Sequence, residues 1–237
     1  MNSSLGGRNM KKIGVVNSVL VGKSVPYAKG AQSAINKKPK SERQVTSRLG
    51  FIDDEQGDLR VHGGIEKAIH IYPSEHYVEW QKELQGNTAL QMIGAFGENI
   101  SSTGLNEDTI CLNDKIRIGS TLLEVSQGRM PCWKLNVKFE QDGMALRLQD
   151  TLRTGWYFRV LEEGNIGCGD EIFLCDRPYP EWPLSKIMKL IFEGCLNKQE
   201  LTPLLDLPLV ESWHRLVARR LESQSIEDWS PRLDGQK

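Results

Sequence analysis

The chain has 237 residues, 39% of them hydrophobic, and its 30 Lys and Arg nearly balance its 31 Asp and Glu. A chain of this length can bury a large core without a metal ion or disulfide to stabilise it. The net charge of -1 gives no bulk attraction to nucleic acid or to an anionic membrane, so we expect neither as a partner.

Five cysteines stand at positions 111, 132, 168, 175 and 195, and no two of them form a Cys-x-x-Cys pair. An odd number with this spacing argues against a disulfide framework, a zinc ribbon or an iron–sulfur cluster. No stretch approaches the roughly 20 apolar residues of a membrane span, and the N-terminus lacks the apolar core of a signal peptide. We therefore predict a cytoplasmic protein with free thiols, preceded by a disordered tail over residues 1–10.

Most of the chain up to residue 177 carries strand patterns, in which apolar residues alternate or form short runs between turn signals. Gly119 and Ser120 separate two of these strands as in a β-hairpin. Strands are predicted over residues 13–21, part of 37–48, 59–61, 68–72, 116–118, 123–125, 156–161 and 172–174. Together they indicate a mainly β, barrel-like domain over residues 11–177.

Fewer helices are predicted in this part of the chain. One begins after Pro73 with Ser74 as its N-cap, and another covers residues 144–152. Residues 50–58 are rich in Gly and Asp and are predicted as a loop.

The pattern changes after residue 177. Apolar residues then repeat at helical spacing, at Leu184, Ile187, Met188 and Ile191 and again at Val210, Trp213, Val217 and Leu221. We predict a small helical domain over residues 178–237. The shift in composition predicts that residues 1–175 can bind a ligand without this tail.

Cys132 is the residue around which the candidate chemistry is arranged. It lies at a corner where the alternation of a predicted strand breaks, just after Pro131. Arg129 and Lys134 lie close in sequence and favour a thiolate, the form that attacks electrophiles and binds soft metals. The local pattern also suits a buried structural cysteine beside two solvated cations, because free cysteine is among the most buried residue types.

The histidines do not form a recognised metal motif. His70 and His76 fall on a predicted strand and a predicted helix, without a His-Glu-x-x-His pairing. A Cys–His hydrolase would need the fold to bring one of them to Cys132. The segment His62-Gly-Gly, with Lys67 nearby, suits either a phosphate-binding loop or a plain glycine turn.

Five ordered segments resemble one known family. They are RVHGGIEKA at 60–68, YPSEHY at 72–77, AFGENI at 95–100, VSQGRMPCWKL at 125–135 and GWYFRV at 155–160. Together they resemble the YiiM branch of the MOSC family, named for the molybdenum cofactor sulfurase C-terminal domain. The tail, with PEWP at 180–183 and ESW at 211–213, resembles the three-helix domain that follows MOSC in that branch.

The resemblance implies a β-barrel core and a molybdopterin-type molybdenum cofactor whose metal takes a thiolate from Cys132. It also implies a detoxifying reduction of N-hydroxylated compounds, such as 6-hydroxylaminopurine and amidoximes, to amines. By position, it implies cofactor-pocket or phosphate-binding residues at His62, Lys67, Asn99, Ser126 and Arg129. Asp53 and Gly128 depart from the family pattern, which expects glycine and proline there, and Gly128 predicts a more mobile loop around Cys132.

Other functions suit the same motif. Cys132 could carry a persulfide in a sulfur-carrier or cofactor-handling module, or the barrel could bind a phosphorylated ligand without redox chemistry. A reductase would need an external electron-donor reductase, because the chain has no four-cysteine cluster pattern and no G-x-G-x-x-G after a predicted strand. We expect this partner to dock near Cys132, on the helical tail or on the basic stretch 37–48.

Overall fold

The structure, a computed structural model, describes residues 10–57 and 63–235. Within these residues no helix is both long and apolar enough to cross a membrane. The strands are β1 (Lys11–Val21), β2 (Val25–Pro26), β3 (Gln32–Ser33), β4 (Lys38–Lys40), β5 (Gln44–Ser47), β6 (Gly50–Phe51), β7 (Ile69–Pro73), β8 (Ile100–Thr103), β9 (Lys115–Ile118), β10 (Thr121–Gly128), β11 (Trp156–Glu162), β12 (Asn165–Ile166) and β13 (Glu171–Asp176).

The α-helices are α1 (Glu75–Glu83), α2 (Lys134–Lys138), α3 (Met144–Asp150), α4 (Leu184–Phe192), α5 (Lys198–Leu201), α6 (Glu211–Ser223) and α7 (Ser230–Leu233). Single 3-10 turns cover Ile65–Lys67, Thr88–Gln91 and Thr202–Asp206. The last of these continues α5, so three helical segments precede the short helix α7.

Seven of the strands close into a barrel. Hydrogen-bonded neighbours follow the order β13-β9-β10-β11-β7-β8-β1, and β1 pairs with β13 to complete the ring. β7 and β8 run parallel, whereas the other neighbouring pairs are antiparallel. Closure pairs both edges of the sheet, which removes the open edges that a flat sheet of this size would expose.

Three apolar clusters hold the molecule together. The first fills the barrel, with Leu123, Val125 and Phe158 among its fully buried members. The second packs α1, α2 and α3 against the outside of β7. The third joins α4, α5 and α6, and Met130 from the segment next to Cys132 packs against it. The helical tail therefore shares its core with the loop that carries Cys132.

The predicted fold class, a mainly β barrel-like core followed by helices, is confirmed. The predicted hairpin around Gly119 is formed by β9 and β10. The tail expected over residues 1–10, apart from Met10, and the strand expected over residues 59–61 lie outside the described residues.

Three local predictions need correction. The loop expected over residues 50–58 contains β6, which pairs with β5. The strand expected over residues 123–125 continues to Gly128, because Gln127 and Gly128 both pair with β11. Ser74 is the N-cap residue of α1, but its hydroxyl does not cap the helix and instead contacts Asn17 and Thr103.

Gly128 is explained by close packing of the helical tail. It ends β10 opposite Trp156. A Cβ at this position would lie 2.1 Å from Met188 Sδ and 3.4 Å from Trp213 Cη2. The departure from the family pattern therefore lets α4 and α6 approach the strand, and the greater mobility expected for the Cys132 loop stays a prediction.

Gly155 provides a test of the backbone beside the Cys132 loop. Its φ is +69°, and an added Cβ would lie 2.3 Å from the carbonyl oxygen of Ile71. Replacing Gly155 with alanine adds a main-chain clash to the cost of left-handed backbone, so we expect a loss of about 3 kcal/mol in the free energy of unfolding.

Gly143 is the matched control, because its φ is +75° and an added Cβ there would meet open space. Gly143→Ala should cost only about 1 kcal/mol, which is the backbone component alone. Chemical denaturation of both variants measures the difference. Equal losses would show that the close approach of Ile71 to Gly155 does not exist in solution.

Candidate functional site

One pocket gathers most of the residues that the sequence analysis singled out. Of the predicted site residues, Lys67, Asn99, Arg129 and Cys132 line it. Ser126 is fully buried and is not a lining residue, and His62 lies outside the described residues. The other charged or polar lining residues include Lys37, Asp54, His70, Lys134 and Tyr157.

Cys132 reaches the pocket because β10 is irregular near its end. The pairing with β11 shifts register between Val125 and Gln127, which marks a β-bulge at Ser126. Bulges change the direction of the side chains that follow them and are common beside functional sites. After the strand ends, the amide of Arg129 still donates to the carbonyl of Gly155 at 3.0 Å, and the chain then turns into α2. The half-buried Cys132 lies in this turn.

Arg129 is the cation that most directly indicates a bound ligand. It is only 6% exposed; burial raises the pKa of Tyr157 in the same pocket, and the charge of Arg129 acts in the opposite direction. Among the described residues, the Nη1 atom of Arg129 has no hydrogen-bond partner. Leaving a buried charged donor unpaired costs more than about 1 to 3 kcal/mol, so an acceptor or anion bound in the pocket would relieve that cost.

The two cations that sequence proximity suggested, Arg129 and Lys134, both line the pocket with Cys132, and two further cations join them. Lys134 directs its Nζ to the carbonyl of Gln32 at 2.7 Å. Lys67 approaches from the 3-10 turn before β7, and burial lowers its pKa while the charge of Cys132 acts in the opposite direction. Arg232 comes from the C-terminal helix α7. Burial lowers its pKa to about 10, and the charge of Cys132 again acts in the opposite direction.

Asn99 acts as a scaffold at the floor of the pocket. Its Oδ1 accepts from the amide of His70 at 3.1 Å, and its Nδ2 donates to the carbonyl of Leu20 at 3.2 Å and to Asp54 Oδ2 at 2.8 Å. Asp54 also pairs with Lys37, and both side chains are 7% exposed. These partners occupy the Asn99 amide, so its role is to position other groups.

Ser126 has a similar supporting place. Its hydroxyl lies 2.6 Å from the carbonyl oxygen of Glu66 and 3.0 Å from that of Tyr157. A hydroxyl carries one hydrogen, so it donates to one of these carbonyls at a time. The bond to Glu66 ties the turn that carries Lys67 to β10, whereas the bond to Tyr157 joins β10 to β11.

His70 shares the pocket with Cys132, but its surroundings do not suit a general base. Its Nε2–H donates to the carbonyl of Thr154 at 3.2 Å, which fixes the neutral tautomer. Burial, and then the charge of Arg129, hold its pKa well below 6.5. A Cys–His hydrolase needs an imidazole that accepts the thiol proton and becomes cationic, and this environment opposes that charge.

The structure also limits how a metal could be held. Among the described residues, no group of three or more His, Cys, Asp or Glu side chains is placed to bind one. A metal ion at Cys132 would therefore need most of its other ligands from a cofactor or from residues outside those ranges.

Comparison with known proteins identifies the family. A model of the MOSC domain matches residues 58–173, and a model of the YiiM-like, 3-alpha helix domain matches residues 182–224. Protein YiiM of Escherichia coli is 34% identical over 218 residues, which covers 92% of this chain and 97% of that protein. The chain belongs to the MOSC-domain family, in its YiiM-like branch. Membership of this family indicates a molybdenum cofactor-binding type of domain.

Other similar proteins agree with this assignment. The crystal structure of E. coli YiiM superposes with a TM-score of 0.77 and 27% identity, covering 92% of this chain and 98% of that one. The crystal structure of a hypothetical protein superposes with a TM-score of 0.81 and 31% identity, and the match covers 94% of this chain and 97% of that one. A protein of Gibberella moniliformis named Reductase is 35% identical over 215 residues, covering 90% of this chain. This chain spans only 38% of that protein's length.

His70 permits a test of the pocket's electrostatics. Because the pKa of His70 in the folded chain lies well below 6.5, stability is fully present above that pH and is lost as the pH falls and the unfolded chain takes up a proton. When the pH falls from about 7.5 to about 5.5, His70 should lower the free energy of unfolding by about 1.4 kcal/mol.

His70→Gln should remove this component, since its side-chain amide can still donate to the Thr154 carbonyl but does not titrate. The measurement is the free energy of unfolding of both proteins at both pH values. If the two proteins lost equal stability on acidification, His70 would not be held neutral by its burial.

Proposed function

We propose that this protein is a molybdenum cofactor-dependent reductase that converts N-hydroxylated compounds, such as 6-hydroxylaminopurine and amidoximes, to amines. The proposal rests on one observation above all: the buried Arg129, whose Nη1 has no hydrogen-bond partner among the described residues, lines the same pocket as Cys132. A buried cation and a single thiol in one cavity suit an anionic cofactor that carries a thiophilic metal.

The residues fit a molybdopterin-type group. Such a cofactor brings its own sulfur ligands to the metal, so the protein needs to add few. Cys132 offers one thiolate, and the described residues offer no cluster that would hold a bare metal ion. A soft sulfur donor also suits molybdenum better than the carboxylates nearby.

The chain's own residues would divide the work of binding. Cys132 would ligate the metal, while Arg129 and Lys67 would bind the anionic parts of the cofactor. Asn99 and Ser126 would hold the pocket floor and the Lys67 turn through the contacts described above. His62 keeps its place as a predicted phosphate or pocket residue.

When bound, the cofactor would supply a centre that exchanges two electrons and takes up the oxygen of an N–OH group. The overall reaction balances with one N-hydroxylated molecule, two electrons and two protons giving one amine and one water. The electrons must come from outside the barrel, because the sequence shows no cluster motif or dinucleotide fingerprint. An external reductase is therefore part of the proposal.

The first test concerns the choice of thiol. Cys132→Ala should lose at least about tenfold in both bound molybdenum and 6-hydroxylaminopurine reduction, because it removes the protein's ligand to the metal. The half-buried Cys175 and the exposed Cys168 provide matched controls, and their alanine variants should behave as the wild type. Protein from a cofactor-producing host allows metal content and turnover to be measured together.

The controls also separate the alternatives. Wild-type turnover in Cys132→Ala, with loss in Cys168→Ala or Cys175→Ala, would show that another thiol is used. A wild type without molybdenum that carries a persulfide on Cys132 would favour the sulfur-carrier function instead.

The second test concerns the electron donor. Purified, molybdenum-loaded protein should reduce 6-hydroxylaminopurine with reduced methyl viologen, which delivers electrons directly, but not with NADPH alone. The measurement is steady-state amine formation with each donor. Robust turnover with NADPH and no second protein would contradict the need for a partner.

A further inference from the structure

Both peptide groups that flank Cys132 are held by one residue, Arg232. The Arg232 side chain donates from Nη1 to the carbonyl oxygen of Pro131 at 2.5 Å. The Arg232 main-chain carbonyl accepts from the amide of Trp133 at 2.8 Å. Because a peptide group is planar, fixing the groups before and after a residue restricts the direction of its Cα–Cβ bond. Arg232 therefore acts on the orientation of the Cys132 side chain from both sides.

Arg232 is itself firmly seated. Its Nη2 donates to Gln149 Oε1 at 2.6 Å, and Gln149 is only 2% exposed. Its guanidinium lies 4.8 Å from the ring centroid of Trp229, within the range of a cation–π contact. The neighbouring carbonyl of Leu233 accepts from Asn136 Nδ2 at 2.9 Å, which adds a bond between α7 and α2.

An ion pair holds the segment that leads from α6 to α7 and so to the Cys132 loop. α6 ends at Ser223, and the C-cap residue Gln224 has a φ of +51°, a left-handed conformation that stops the helix. Arg220 on α6 is fully buried, and its Nη2 lies 2.7 Å from Glu227 Oε1. Glu227 also accepts from Trp229 Nε1 at 2.6 Å. These contacts guide the chain from the end of α6 to α7.

A second segment meets α7 on the other side of the loop. Lys29, at the tip of the β2–β3 hairpin, donates to the carbonyl of Asp234 at 2.7 Å and lies 5.3 Å from the Trp133 ring centroid. Tyr27 from the same hairpin donates to the carbonyl of Lys134 at 3.2 Å. The Cys132 loop is thus enclosed between the hairpin and the C-terminal segment.

We propose that Arg232 is a positioning residue, which orients Cys132 for metal binding through the two flanking peptide groups. The family model for the three-helix domain ends at residue 224, so this segment lies beyond the part of the tail that the model describes. The role of Cys132 as a ligand rests on the proposed function, whereas the positional claim rests on the contacts alone.

The primary test uses the cofactor-free full-length protein. Amide hydrogen exchange in peptides covering residues 131–136 should be roughly tenfold faster in Arg232→Gln than in the wild type, because the shorter amide cannot reach the Pro131 carbonyl. Peptides from β11 should be unchanged. Arg232→Lys, which can restore one charged donor to Pro131, should fall between the two.

Arg215→Gln is the matched control. Arg215 lies on α6 with its side chain 71% exposed and pairs with Glu211 at 3.1 Å, so its loss removes a charge from the tail without touching the loop. Amide hydrogen exchange over residues 131–136 should be the same in Arg215→Gln as in the wild type. Unchanged exchange over 131–136 in Arg232→Gln, or an equal increase throughout the barrel, would overturn the proposal.

A second readout separates positioning from a purely structural role. In molybdenum-loaded protein, Arg232→Gln should lower kcat per bound molybdenum by at least about tenfold with KM within about twofold, and Arg232→Lys should recover part of it. Loss of thermal stability with an unchanged kcat per molybdenum would show that Arg232 only supports the fold. If the wild type binds no molybdenum, the proposed function fails, and the exchange experiment still tests the position of the loop.

Discussion

The pocket depends on a buried polar network centred on the side-chain amide of Asn99. This amide joins β1, β7 and the loop that carries Asp54 through three hydrogen bonds. Asp54 in turn accepts from Lys37 Nζ and from the amide of Gly22. Removing one partner of such a buried ion pair typically costs about 3 to 5 kcal/mol, because the other charge is left uncompensated. The network therefore fixes the pocket floor, and its members cannot be exchanged singly.

The barrel and the helical tail are not independent at the pocket. Gly128 allows Met188 and Trp213 to pack on the end of β10. Met130 packs against the core of the helical domain, and Arg232 holds the peptide groups beside Cys132. That residues 1–175 bind the cofactor without the tail stays a prediction, and these contacts are the ones that a truncation would remove.

Local patterns explain which parts of the fold could be predicted. The β9–β10 hairpin is encoded by apolar alternation on both sides of Gly119, a signal confined to a few neighbouring residues. The bulge at Ser126 could not be found in this way, because it is a mismatch between β10 and β11 and depends on the register of both strands. The sequence therefore located Cys132 correctly at the end of a strand but misjudged where that strand stops.

The candidate site was predictable to a similar degree. The family resemblance brought Lys67, Arg129 and Cys132 to one region, and the structure places all three on one pocket. Arg232 escaped notice because it lies 101 residues from its partner Pro131, and no periodic pattern connects the two. Contacts of such long range arise from tertiary packing, which a single sequence does not reveal.

The charge distribution around Cys132 argues for the kind of chemistry that the pocket can support. His70, the imidazole of the pocket lining, is kept neutral by burial and by Arg129, so the pocket lacks a good acceptor for the thiol proton there. Arg129 offers a donor, Nη1, that has no partner within the part of the chain that the structure describes, and the charge of Cys132 acts on Lys67. A hydrolase would need the base and would gain little from the cations. An anionic cofactor gains from the cations and needs no base to hold a thiolate ligand, since a metal stabilises that form itself.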